Sequence, residues 1–103
     1  MSGAEGDLTG AQRKHLRGLA HGLEPAVRVG QKGLTAAVER EVDRALDRRE
    51  LIKVKLAGDR DERRAQAEAL AGAAGARLVG TIGTIAILYR RHSDPAQRKV
   101  QLP

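Results

Sequence analysis

Gly30-Gln31-Lys32-Gly33 is the stretch of this chain whose residue types and spacing could do chemistry. It stands between a short apolar run, Ala26–Val29, and Thr35, which opens an amphipathic segment. Glycine at each end lets the backbone turn sharply and approach a ligand with no Cβ in the way. A helix starting at Thr35 leaves its first amides unpaired, with the positive end of its dipole behind them. Lys32 adds a mobile cation at the tip. Together these parts make a place for a phosphate, and the competing reading is a plain strand-to-helix turn. The Gly-x-x-Gly pattern alone does not choose between them. With twelve glycines in 103 residues it also occurs at Gly3–Gly6, Gly72–Gly75 and Gly80–Gly83. Context separates the four: only the match at Gly30 joins a strand to a helix start and holds a cation.

Other cations gather on predicted elements. On a helix of about 100° per residue, Arg13, Lys14, Arg17 and His21 share one arc beside an apolar arc of Leu16, Leu19 and Ala20. Arg28 lies in the run before the loop, and Lys53 and Lys55 alternate with Ile52, Val54 and Leu56. Each set is either an ordinary solvated face or part of a ligand surface. A net charge of +6 from 19 basic and 13 acidic residues makes a polyanion a reasonable partner through counterion release.

Catalytic chemistry is poorly supplied. No Gly-x-x-x-x-Gly-Lys-Ser/Thr occurs, so a mononucleotide P-loop is excluded, and the dinucleotide fingerprint lacks its third glycine. The serines, Ser2 and Ser93, fall outside predicted elements, and there is no cysteine to act as nucleophile, thiolate ligand or disulfide. His15 and His21 are turned away from each other by a helix and cannot share a metal, while His92 sits in a polar segment. No catalytic residue, metal site or cofactor is expected. No apolar run approaches the ~20 residues that span a bilayer, and Met1–Asp7 is not a secretory signal. A cytoplasmic protein with no membrane and no small-molecule substrate is expected.

The elements that must position the loop read as α-β-α-β-α-β-β. A leader over 1–8 precedes a helix capped by Thr9 and Gln12 and ending near Ala20. Strand one is Ala26–Val29. Helix two runs from Thr35 to about Arg48, with Leu34, Val38, Val42, Ala45 and Leu46 on one face and a mixed stripe of Arg40, Arg44, Arg48, Glu39, Asp43 and Asp47 on the other. Strand two is Leu51–Leu56. Helix three is capped by Asp59 and Glu62 and packs through Ala67, Leu70, Ala71 and Ala74 until Gly75. Arg77–Ile82 and Thr84–Arg90 form a hairpin about Gly83, and Ile85–Leu88, apolar on both faces, reads as an interior strand. Residues 9–90 then form a single two-layer α/β (α+β) domain with a mixed sheet, and 91–103 a basic tail that either belongs to the domain or orders on binding.

Without Phe or Trp, and with Tyr89 alone, the chain cannot stack bases on an aromatic sheet. RNA binding must rest on phosphate contacts, backbone amides and guanidinium groups. That favours a Gly-x-x-Gly clamp of the KH sort or recognition of structured RNA by shape.

Gly18-Leu19-Ala20-His21, Pro25, Val27, Val29-Gly30 and Lys32-Gly33-Leu34-Thr35 together resemble the signature of the CRM domain, an RNA-binding module, in its single-domain bacterial YhbY-like form. Glu50–Lys55 and Ile82-Gly83 through Leu88-Tyr89-Arg90 extend the resemblance over nearly the whole chain. It implies a fold similar to the C-terminal domain of bacterial translation initiation factor three with one added N-terminal helix, and a sheet ordered 1-2-4-3. It implies RNA contact through Gly30, Gln31, Lys32 and Gly33; the cationic faces read above place Arg13, Lys14, Arg17, His21 and Arg28 as extensions of that surface, joined by Lys53 and Lys55 if their strand face stays open. The partners it implies are ribosomal RNA and precursors of the large ribosomal subunit; separately, the chain is expected to act as a monomer. The Ala-rich stretch Ala65–Ala74 departs from the family's basic content. Two other readings stand beside it: a general KH-like RNA module or chaperone, and a protein-interaction module for acidic partners.

Overall fold

The computed structural model describes residues 8–103. The leader expected over 1–8 therefore lies outside the described residues except for Leu8, which packs under the first helix. That helix, α1, spans Gly10–Ala20. Thr9 Oγ1 accepts from the Gln12 amide and Gln12 Oε1 accepts from the Thr9 amide, both at 3.0 Å, the reciprocal capping that the spacing predicted. Leu16 and Ala20 are buried, but Leu19, expected on the same apolar face, is 46% exposed.

Pro25–Arg28 forms β1 and Leu51–Lys55 forms β2, joined by helix α2 over Ala36–Arg49. The two strands pair in parallel, as a strand–helix–strand crossover allows. Helix α3, Arg60–Ala74, opens on a second capping box at Asp59 and Glu62 and ends on Gly75 in the left-handed region at φ +64. Strands β3, Arg77–Ile82, and β4, Ile85–Tyr89, form a hairpin whose two-residue turn puts Gly83 first, at φ +58. The sheet order is β1-β2-β4-β3. β4 therefore has neighbours on both sides, and Ala86, Ile87, Leu88 and Tyr89 are all buried. Each strand and helix stops within a residue or two of its expected bounds.

Period-two alternation divides the core in two. Ile52, Val54, Ala86 and Leu88 face α2 and α3, packing on Val38, Val42, Leu46, Ala67 and Leu70. Leu51, Ile87, Tyr89 and Val79 face the other way, against Leu16 and Ala20. The two-layer reading thus describes the sheet with α2 and α3, and α1 adds a partial third layer on the opposite face. A lone helix cannot cover that face of the sheet, and the C-terminal segment helps: Val100 and Leu102 pack beside α1.

Glu50 anchors that segment. It joins α2 to β2, is fully buried, and holds φ +65 with ψ −36, a sparsely populated conformation for a residue with a side chain. Its carboxylate accepts the amides of His92 at 2.6 Å, Lys99 at 2.6 Å and Val100 at 2.8 Å. Burial pushes the Glu50 carboxyl up, yet these amides and the Arg98 charge outweigh it and hold it below its ordinary value. Burial and the Glu50 charge in turn raise the neighbouring Tyr89. Asp43 and Asp47, from the mixed stripe on α2, meet Arg90 just past the end of β4, at 2.6 and 2.9 Å. Arg90 also donates to the Ala74 and Asp43 carbonyls, tying β4 to both helices.

Candidate nucleic-acid interface

The loop after β1 is a tight turn. The Gly33 amide donates to the Gly30 carbonyl at 3.0 Å, leaving Gln31 and Lys32 exposed at the tip. The Gly33 donor is therefore spent closing the turn. Thr35 caps α2, its Oγ1 accepting from the Val38 amide at 3.2 Å. Among the described residues the amides of Gln31, Lys32, Ala36 and Ala37 have no acceptor, so the loop and the first turn of α2 keep donors for a ligand.

The two glycines have different reasons to be there. Gly33 sits at φ +73, where a side chain is strained. Gly30 does not, and a Cβ added to it would meet nothing within 4 Å. The fold makes no demand for glycine at Gly30; its bareness gives only access.

Val27 and Val29 are buried, so Arg28 between them points out of the other face. Parallel register sets it beside Lys55, and both are exposed. Lys53, one alternation further up the same face, is half-buried, and its Nζ donates to the His21 carbonyl at 3.3 Å. A cation there completes the negative end of the α1 dipole and draws that helix end onto β2. Lys53 is thus committed to the fold.

So is Arg13. Its Nη1 donates to the Leu78 and Val79 carbonyls, at 2.8 and 3.1 Å, where β3 bulges on the outer edge of the sheet. Covering those carbonyls blunts an edge that could pair with another chain. Arg17 lies over Gly80: a Cβ there would stand 3.2 Å from Arg17 Nε, so the missing side chain makes room for the guanidinium. Lys14 and His21 are exposed. Among the described residues ion pairs form at Arg64–Glu68 and at Arg90, so Lys14, Arg17, Arg28, Lys32 and Lys55 meet no carboxylate.

The geometry therefore gathers the loop, Arg28 and Lys55 at one end of the sheet. Lys53 and the close of α1 border them, and Arg13 is turned away toward β3. Backbone donors beside uncompensated cations can hold a phosphate by direct hydrogen bonds and by charge. Among the described residues no group of His, Cys, Asp or Glu could hold a metal ion, and no helix is long and apolar enough to cross a membrane. Sequence reasoning assigned no role to Glu50 and Arg90. Their partners lie 42 to 50 residues away along the chain for Glu50, and 43 to 47 for the carboxylates that meet Arg90, so no local spacing marks them.

Known proteins resemble this chain in sequence and in fold. A protein of Pseudomonas aeruginosa named "Probable RNA-binding protein PA4753" is 43% identical over 89 residues, 85% of this chain and 86% of its own length. An "RNA-binding protein" of Haemophilus influenzae is 43% identical over 97 residues, 93% of this chain and 95% of its own. The solution structure of the hypothetical protein SAV1595 of Staphylococcus aureus, a candidate RNA-binding protein, superposes with a TM-score of 0.81 at 34% identity, covering 94% of this chain and all of that one. The family model of the CRS1 / YhbY (CRM) domain matches residues 8–90, which takes in the loop, every strand and all three helices. The chain belongs to the CRS1/YhbY (CRM) domain family.

Proposed function

We propose that this chain is a non-enzymatic RNA-binding protein that grips the RNA backbone at Gly30–Gly33 and along Arg28 and Lys55. The observation that carries this reading is the exposed turn with unpaired amides, set beside cations that meet no carboxylate. The names of its relatives as RNA-binding proteins support it. Such a grip reads charge and backbone shape rather than base edges, so base specificity is low and salt dependence steep. The RNA partner we propose is ribosomal RNA within precursors of the large subunit, bound by a cytoplasmic monomer. The ribosomal partner rests on the family resemblance.

Sedimentation of lysate on a gradient tests the ribosomal part: the protein is expected to travel with large-subunit precursors. A spread over many RNAs favours a general RNA module, and a partner that survives RNase treatment favours protein contact. Filter binding with structured ribosomal RNA tests the grip. Replacing Gln31 and Lys32 by Asp is expected to weaken binding by at least about tenfold, because each change adds repulsion to a lost contact. Unchanged affinity removes the loop from the mechanism.

A further inference from the structure

Strand register sets Arg28, Lys55, Ile85 and Ile82 in one row across β1, β2, β4 and β3. Alternation puts the row on the face that carries α1, because Val27, Val54 and Ala86 point into the core beneath α2 and α3. The next row inward is covered. Ile87 is 1% exposed against α1, Lys53 reaches the His21 carbonyl, and Gly80 lies under Arg17. The end row has no such cover. Arg28 and Lys55 are exposed, Ile85 is half-buried, and Ile82 is 63% exposed. Strands stand about 4.8 Å apart, so the row spans roughly 14 Å, cationic at β1 and apolar at β3. The Gly30–Gly33 turn begins two residues past Arg28, just beyond the end of β1.

One exposed isoleucine on a surface needs no explanation. Ile82 differs because its hairpin partner Ile85 backs it and two cations continue the same line. A polymer that suits such a strip carries charge along its spine and flat apolar groups to one side. Paired RNA does not qualify, since its base faces are stacked inside the helix; an unpaired strand exposes them. A protein segment would need acidic residues at one end and apolar ones at the other, and nothing in the strip favours it over a polymer with both built in.

We infer that the open end of the sheet seats an unpaired RNA strand, with phosphates over the loop, Arg28 and Lys55 and bases packed on Ile82 and Ile85. This rests on the RNA-binding reading and adds the form of the RNA and the side chains that meet its bases. Ile82 and Ile85 supply contact area without hydrogen bonds, so they favour unpaired bases over paired ones and not one base over another.

The test uses the full chain and three short RNA probes of equal length: a mixed-sequence single strand, the matching duplex, and a single strand with abasic sites through its centre. Wild type is expected to bind the single strand best. Ile82→Ser is expected to weaken that binding roughly tenfold, from the apolar area lost. It is expected to change neither affinity for the abasic strand nor the dependence on salt. Ile82→Leu restores binding, and a melting curve checks that Ile82→Ser folds, as its exposure leads one to expect. Lys55→Gln is expected to do the reverse, weakening all probes and reducing the salt slope by about 0.7. An Ile82→Ser protein that binds base-bearing and abasic strands as wild type does overturns the inference while the RNA-binding reading stands. So does a wild-type preference for duplex. Wild type that binds none of the probes overturns both.

Discussion

Replacing Glu50 by Gln changes one atom and tests how the C-terminal segment is held. In the native protein Oε1 accepts the Lys99 and Val100 amides and Oε2 accepts that of His92. A glutamine can keep the first pair through its oxygen, but its NH2 group then faces the His92 N–H, donor against donor. One charge-assisted bond is lost, two become neutral, and a buried amide is left without an acceptor. Each loss is worth about 1–3 kcal/mol, giving roughly 2–4 kcal/mol in all. A ceiling applies, because residues 92–103 can leave the surface once the cost exceeds the free energy that docks them. The readouts are urea denaturation and hydrogen exchange at His92, Lys99 and Val100. The expected result is a lower midpoint, a smaller m-value as the segment detaches, and loss of protection at those amides. Stability within about 0.5 kcal/mol of wild type, with the amides still protected, refutes the reasoning. The same carboxylate sets a pH dependence. Its pKa is depressed below the ordinary 4.5, so its contribution is fully present above that pH and is lost as pH falls through the native value. In the Gln variant that part of the acid sensitivity disappears.

The loop glycines separate fold from function. Gly33→Ala is expected to destabilise the protein by about 1 kcal/mol, because it forces a side chain into the left-handed region at φ +73. Gly30→Ala is expected to leave the melting temperature unchanged and still reduce RNA affinity, since open space there serves only the approach of a ligand; equal affinity for RNA removes Gly30 from the contact. Arg90→Ala is expected to cost about 1–3 kcal/mol in chemical denaturation, mainly from the carbonyls of Ala74 and Asp43. Asp43 and Asp47 are more than half exposed, so their pairs add little, and raising salt should recover only a small part of the loss.

Much of this protein is written locally. Apolar residues recurring along Leu34–Leu46 can only be a helix with one buried face, and Leu51–Leu56 alternates as a half-buried strand must. Thr9 with Gln12, and Asp59 with Glu62, cap helices through partners three residues away. The Gly30–Gly33 turn joins strand to helix within a dozen residues. Short range is what makes these features legible, because both partners fall inside one window of sequence. The sheet order came into view through family resemblance.

Other features exist only once distant segments meet. Whether α1 lies with the other helices or across the sheet from them depends on which face Leu51, Val79 and Ile87 turn outward, and no window holds all three. That choice commits Arg13 to the β3 carbonyls and Lys53 to the end of α1, two cations that look no different in sequence from Lys14 or Lys55. Glu50 is one acidic residue among 13 until His92, Lys99 and Val100 close around it. The row from Arg28 to Ile82 likewise comes from register, and side-chain period in a strand is two, so a slip of a single residue would scatter it over both faces. Composition and local spacing determined which groups this chain can offer a polyanion; long-range packing decided which of them are still free to be offered.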